Sequence, residues 1–72
     1  MTPEQARAYM ASVAGHAEAE LTRYEQVRDA MDWGDSDAGF YGRAALEFGL
    51  RIEAMEAEWA RWVIKEIDRR SN

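Results

Sequence analysis

Residues 40–67, FYGRAALEFGLRIEAMEAEWARWVIKEI, carry two apolar stripes along one continuous stretch. The first, which we name the heptad stripe, repeats every seven residues and comprises Tyr41, Ala45, Phe48, Ile52, Met55, Trp59 and Trp62. The second stripe comprises Leu46, Leu50, Ala57, Ala60, Ile64 and Ile67. Apolar residues that recur at intervals of three and four share one face of an α-helix. The stretch therefore predicts a long helix with two separate apolar faces.

An earlier helix is predicted over residues from about 3 to 32. Thr2 is suited to cap it, Pro3 fits the first helical position, and Gln5 stands where a capping-box residue reaches back. Apolar side chains then follow at three- and four-residue spacing: Ala6, Met10, Val13, Ala17, Leu21, Tyr24, Val27 and Met31. This spacing again marks one helical face.

A short turn over about residues 33–37 separates this helix from the second, which is predicted over about 38–70. Gly34 is suited to the left-handed conformation that follows many helix ends. The following residues Asp35, Ser36 and Asp37 are all suitable N-caps. Because short connections join antiparallel neighbours, the sequence predicts an all-α helical hairpin without strands.

One neighbouring helix can cover one of the two apolar faces but not both. We therefore expect two hairpins to associate as a homodimer and form a four-helix bundle, with the second helices near its centre. The expected dimer interface consists of Tyr41, Phe48, Ile52, Met55, Trp59 and Trp62. A single domain of 72 residues has little apolar area to offset the entropy of folding, which also favours association.

The composition excludes several classes of protein. The formal net charge is −5 and neither half of the chain has an excess of Lys and Arg, so direct binding to a phosphate backbone is not expected. No apolar run approaches the ~20 residues of a membrane span, and the N-terminus lacks the pattern of a secretion signal. With no cysteine in the chain, we expect a cytoplasmic protein.

Candidate catalytic and metal-binding groups are sparse. His16 and Glu20 lie one helical turn apart and offer two ligands, whereas stable metal sites need three or four. Glu53 lies at the margin of the two stripes, either as a buried acid or as a solvated rim residue. The carboxylates do not pair as acid–base catalysis requires. We expect no enzyme activity and no cofactor.

The aromatic residues allow two interpretations. The first is packing in the core and the dimer interface, and the second is stacking of a small aromatic effector on Trp59, Trp62 and Phe48. Trp33 beside the turn could instead pack against another domain. Gly39, Gly42 and Gly49 are expected where another helix or an aromatic ring approaches closely.

The chain resembles the C-terminal domain of PadR-like transcriptional regulators, which include the AphA-type virulence activators. In the second helix the matching positions are Phe40 and Tyr41, Ala44 to Leu46, Gly49 and Leu50, and Glu58 with Trp59. In the first they are Pro3 with Glu4, followed by Glu20, Leu21 and Tyr24. The resemblance covers nearly the whole chain.

This resemblance implies a dimerisation domain with an effector-sensing role, acting for a winged helix-turn-helix that reads DNA. Only Met1 precedes Thr2 here, so the resemblance implies either an excised C-terminal domain or a stand-alone protein without the DNA reader. Contact with DNA would then be indirect. Two alternatives remain, a stand-alone hairpin that binds another protein and a bundle that binds a small molecule.

Overall fold

The computed structural model describes residues 1–71 and contains two long antiparallel helices, α1 (Pro3–Ala30) and α2 (Asp37–Arg70). No strand occurs within these residues, and the two helices pack against each other along their length. The predicted all-α hairpin is therefore confirmed. The molecule is a rod of 54 × 17 × 15 Å. Its radius of gyration is 16.4 Å, whereas a compact domain of this length has about 11 Å.

The start of α1 is fixed by the predicted capping box. The backbone N–H of Gln5 donates to Thr2 Oγ1 at 3.1 Å, and the backbone N–H of Thr2 donates to Gln5 Oε1 at 2.8 Å. Pro3 occupies the first helical turn, where its missing N–H costs nothing. These contacts satisfy backbone donors that a helix start otherwise leaves unpaired.

The end of α1 lies at Ala30, two residues before the predicted end at about 32. Met31, the C-cap, is already extended. The indole N–H of Trp33 donates to the carbonyl oxygen of Arg28 at 3.1 Å, and the N–H of Gly34 donates to Asp32 Oδ1 at 3.1 Å. Because these bonds replace further helical turns, the helix stops earlier than apolar spacing alone suggests. Gly34 has the predicted positive φ, at 65°.

Ser36 is the N-cap of α2, and its hydroxyl accepts a hydrogen bond from the N–H of Gly39 at 3.1 Å. The ring of Trp33 lies against Gly42 within the hairpin. Trp33 is only partly buried, and its contact with another domain stays a prediction. The ring of Tyr24 likewise lies against Gly49. The expectation that these glycines admit close approach of a ring is confirmed.

The core between the helices is built from small side chains. Leu50, Ala57 and Ala60 of the second stripe are buried, as are Met10, Ala14 and Ala17 of α1. Around Met10, Ala14 and Ala60 lie Val13, Val63 and Ile64, which are partly buried. The alanines let the two helix backbones approach closely, and the hairpin thereby covers the second stripe of α2.

Near the turn, the apolar face of α1 departs from the predicted pattern. Val27 and Met31 are exposed, while Glu25 and Arg28 are partly buried instead. The prediction placed Val27 after two successive steps of three residues from Leu21. At about 100° per residue, Val27 points about 120° away from Leu21, whereas Arg28 points in nearly the same direction as Leu21. Towards its end, α1 therefore presents different residues to α2.

Candidate functional site

The heptad stripe is the uncovered face of the hairpin. The large side chains Tyr41, Phe48, Met55, Trp59 and Trp62 are between 50% and 68% exposed. Ile52 is partly buried and Ala45 is exposed. Isolated exposed apolar residues are ordinary, but a continuous row of this length on a small protein indicates a binding surface.

The position of the heptad stripe follows from helical geometry. Successive residues are rotated by about 100° around the axis, so residues two apart point in roughly opposite directions. Phe48 is exposed and Leu50 is buried against α1. Met55 is likewise exposed, and Ala57, two residues later, is buried. Because α1 covers the second stripe, the heptad stripe is directed away from it.

The total accessible surface of the chain also indicates that a face of the hairpin is uncovered. The chain exposes 5541 Å², whereas a compact monomer of its mass exposes about 4,600 Å². The difference resembles the roughly 800 Å² that each partner buries in a stable protein–protein interface. Part of the difference reflects the rod shape, which itself follows from having a single layer of two helices.

Two of the three candidate stacking residues lie together. Trp59 and Trp62 line an open groove of about 340 Å³, together with Met55 and Glu58. Phe48, the third candidate, does not line this groove. The walls thus combine two indoles, a thioether and one carboxylate. This arrangement can hold a flat apolar group but contains no acid–base pair.

Two further features were not found from the sequence. Phe40 packs edge-to-face on Tyr41, with ring centroids 5.4 Å apart and an interplanar angle of 69°. A second cavity, of about 390 Å³, lies where the start of α1 meets the end of α2. It is lined by Met1, Thr2, Pro3, Ala6, Ile67, Arg70 and Ser71. Only the spatial proximity of the two ends, which a hairpin requires, could have indicated it.

Ion pairs join the two helices at exposed positions. Arg7 Nε contacts Asp68 Oδ1 at 2.9 Å, and Arg61 forms hydrogen bonds with both carboxylate oxygens of Glu18. The hydrogen bond that Arg61 donates to Glu18, together with the negative charge of Glu18, raises the pKa of Arg61. Exposed ion pairs contribute little to the stability of the fold. Both pairs nevertheless form in the one antiparallel alignment of α1 and α2 that the structure has.

The candidate metal ligand Glu20 has a different partner. It accepts a hydrogen bond from Arg23 Nη2 at 2.6 Å, and this bond, together with the charge of Arg23, lowers the pKa of Glu20. Among residues 1–71, no three His, Cys, Asp or Glu residues are placed to share a metal ion. His16 and Glu20 therefore have no third ligand in this part of the chain.

Glu53 lies on the face of α2 that packs on α1, between Leu50 and Ala57. The residue is partly buried. Its Oε2 atom is shielded from solvent and has no hydrogen-bond partner within residues 1–71. Of the two expectations, a buried acid describes this oxygen better than a solvated rim residue. The acid belongs to the interior of the hairpin, away from the exposed heptad stripe.

Neither α1 nor α2, within residues 1–71, has a segment apolar and long enough to span a lipid bilayer. A protein-family model described as virulence activator alpha C-term matches residues 1–68. The chain belongs to this family, whose members are regulatory C-terminal domains of transcription activators. No curated protein and no solved structure gives a significant match.

Proposed function

We propose that this chain is the dimerisation domain of a PadR-like bacterial transcriptional regulator. The observation that carries the proposal is the exposed heptad stripe, which runs along α2 on the side that α1 does not cover. A second copy offers the same stripe, and a two-fold symmetric interface needs one self-complementary surface. Two hairpins joined through this stripe form a four-helix bundle with α2 near its centre.

Dimerisation gives such a domain its regulatory role. Many DNA-reading domains act in pairs, and the dimer sets the distance between the two recognition helices so that it matches the operator half-sites. The chain itself carries a net charge of −5. This charge suits a domain that contacts DNA only through an attached winged helix, because phosphate binding requires clustered basic residues.

The groove beside Trp59 and Trp62 supports an effector-sensing role for the same domain. A small aromatic ligand would stack on the indoles at the seam of the dimer. If it bound one dimer geometry better than another, it would shift the equilibrium between them and thereby DNA affinity. Saturable quenching of tryptophan fluorescence by a flat aromatic compound such as naphthalene sulfonate, lost in Trp62→Ala, would support this role.

The dimer is tested by sedimentation equilibrium of the purified chain at micromolar concentration. We expect a dimer for the wild type and a monomer or an unfolded chain for the double variant Phe48→Ala, Trp59→Ala. The matched control is Tyr9→Ala, which also removes a large exposed ring, but from α1. It is expected to leave the dimer intact.

Circular dichroism separates loss of association from loss of helix. A wild-type chain that sediments as a folded monomer would contradict the proposal. So would a double variant that remains dimeric, because the two removed rings contribute much of the exposed apolar area of the stripe.

A further inference from the structure

We propose that the turn end of the hairpin docks a basic segment of a partner protein, with the ring of Phe40 as the apolar anchor. This surface, which we name the turn patch, consists of Met31, Phe40 and the aspartates Asp32, Asp35 and Asp37. None of these residues belongs to the heptad stripe. The turn patch is therefore a second interface, separate from the dimer of the proposed function and independent of it.

Phe40 points in a direction that neither apolar stripe of α2 shares. At about 100° per residue, its side chain is rotated by about 80° from Phe48 of the heptad stripe, and by about 80° the other way from Leu50, which α1 covers. Glu47 and Glu58 share the direction of Phe40 to within about 20°. The side chain of Phe40 is 67% exposed. It is therefore a large apolar group on the charged side of α2, where neither α1 nor a second copy on the heptad stripe covers it.

Phe40 is one of three large apolar side chains that are exposed at the turn end of the hairpin. Met31 is 51% exposed, and Tyr41, the first residue of the heptad stripe, is 68% exposed. Phe40 and Tyr41 are in edge-to-face contact, so their rings form one continuous apolar surface. Single exposed apolar residues are ordinary, but a group of them at one end of a small protein indicates an interaction site.

Local hydrogen bonds hold the turn that carries the turn patch. The indole N–H of Trp33 donates to the carbonyl oxygen of Arg28 at 3.1 Å. The N–H of Phe40 donates to the carbonyl oxygen of Ser36 at 3.0 Å, and the N–H of Gly39 donates to the hydroxyl of Ser36 at 3.1 Å. A surface that is already ordered loses little conformational entropy when a partner binds, so these bonds favour docking.

The charge around Phe40 favours a basic partner. Residues 31–43 contain three aspartates and one arginine, Arg43, which gives a net charge of −2. Asp35 and Asp37 are exposed and form no ion pair within residues 1–71. Carboxylates that are not yet paired can accept hydrogen bonds from the cationic groups of a partner. The same charge steers basic segments towards the turn patch and repels phosphate groups.

A segment in which arginine or lysine stands beside apolar residues matches both parts of the turn patch. Its apolar side chains cover the rings of Phe40 and Tyr41. Its cationic groups bind the carboxylates, and a guanidinium group can also lie over the face of an aromatic ring. Basic amphipathic segments of other proteins carry both kinds of group. Nucleic acid and anionic lipid headgroups lack the positive charge that the aspartates require.

Two synthetic amphipathic peptides test the turn patch. One is built of leucine, alanine and arginine, and the other has glutamate in place of arginine. Each carries a fluorescent label, and the anisotropy of the label gives the Kd for the purified chain. We expect the basic peptide to bind, the acidic peptide not to bind, and high salt to weaken the binding of the basic peptide. In the ¹⁵N-labelled chain, the basic peptide should shift the amide signals of residues 31–43 most.

Substitutions separate the contribution of the ring from that of the charge. Phe40→Ala should raise the Kd for the basic peptide about three-fold, the size of one exposed contact between a cation and an aromatic ring. The double variant Asp35→Asn, Asp37→Asn should raise the Kd by a similar factor. The matched control for the ring is Tyr9→Ala, because Tyr9 is 61% exposed on α1. The matched control for the charge is the double variant Glu4→Gln, Glu58→Gln, and both controls should leave the Kd unchanged.

Three results would overturn the turn patch: no binding of the basic peptide up to millimolar concentration, equal binding of both peptides, or amide shifts centred on the heptad stripe. Sedimentation of Phe40→Ala supplies a fourth test, and we expect the same association state as for the wild type. If this variant dissociated instead, Phe40 would belong to the interface between two copies. A wild-type monomer that binds the basic peptide at residues 31–43 would contradict the proposed dimer and leave the turn patch in place.

Discussion

The backbone carbonyl oxygen of Trp33 occupies the space in which a side chain at Gly39 would begin. A Cβ atom placed on Gly39 would lie 1.9 Å from that oxygen, far inside van der Waals contact. The opposing atom belongs to the backbone, so relief requires movement of the whole turn. We expect Gly39→Ala to lower the free energy of unfolding by about 1–3 kcal/mol, the usual range for overpacking. Urea denaturation followed by circular dichroism measures this change.

Gly15→Ala is the matched control for this substitution. Gly15 is exposed within α1, and a Cβ there would meet no atom within 4 Å. Alanine restricts the unfolded chain and has the higher helix propensity, so Gly15→Ala should stabilise the protein by about 0.5–1 kcal/mol. If the two variants shifted stability in the same direction, the steric account of Gly39 would be wrong.

Trp33 also closes the end of α1, and a second substitution tests that contact. Trp33→Phe keeps a ring against Gly42 but removes the N–H that donates to the carbonyl oxygen of Arg28. A hydrogen bond of this type contributes about 1 kcal/mol net, and the loss should be of that size. Thermal unfolding measures it. A change no larger than that of an exposed Tyr9→Phe variant would show that the bond is unimportant.

The helices themselves could be predicted because their signals are local. Thr2, Pro3 and Gln5 start α1 through contacts within one turn, and Ser36 caps α2 in the same way. The hairpin followed from the short connection, and the exposed heptad stripe from the two apolar faces of α2. These features depend on residue spacing, which a sequence displays directly.

Other features depend on contacts that no spacing encodes. The sequence did not indicate that the ring of Trp33 would pack back onto α2. It also did not indicate that α1 would end at Ala30, where the indole N–H of Trp33 bonds to the carbonyl oxygen of Arg28. Val27 is exposed because two successive steps of three residues, from Leu21 to Tyr24 and on to Val27, turn its side chain away from the face that packs on α2. Phe48 was grouped with the two tryptophans by aromatic type, but the groove contains only the latter.

Acid should weaken the fold through carboxylates that pair with arginine. The hydrogen bond and charge of Arg23 lower the pKa of Glu20, and those of Arg28 lower the pKa of Asp29. A carboxylate whose folded pKa lies below its unfolded value stabilises the protein above the unfolded pKa, and this contribution is lost as pH falls through the folded pKa. We expect the Tm to decrease as pH is lowered from about 5 towards 3, near and below the ordinary pKa values of these groups.

The double variant Glu20→Gln, Asp29→Asn should flatten this pH dependence, and the single variant Glu58→Gln serves as its control. Because Asp29 is exposed and Glu20 is only partly buried, 0.5 M salt should reduce the effect, as screening weakens surface charge pairs over about one Debye length. A pH profile of the double variant that coincided with the wild type would assign the acid sensitivity to other groups.

Glu53 supplies the last prediction, since one of its carboxylate oxygens is shielded from water without a hydrogen-bond partner within residues 1–71. Leaving a polar atom buried and unpaired costs roughly 1–3 kcal/mol. Leucine has a similar volume and would extend the apolar face formed by Leu50 and Ala57. We therefore expect Glu53→Leu to raise the free energy of unfolding by about 1 kcal/mol, measured by urea denaturation at neutral pH.

Glu56→Leu is the control for Glu53→Leu, because Glu56 is also partly buried on α2 but has no shielded, unpaired oxygen. It should change stability less. Glu53→Gln distinguishes charge from polarity, since an amide keeps the polar atoms and removes the ionised form. If Glu53→Leu were destabilising, the carboxylate would have a partner in the folded protein, such as a bound water molecule or a group of the second subunit. The stability of Glu53→Gln would then indicate whether that partner requires the negative charge.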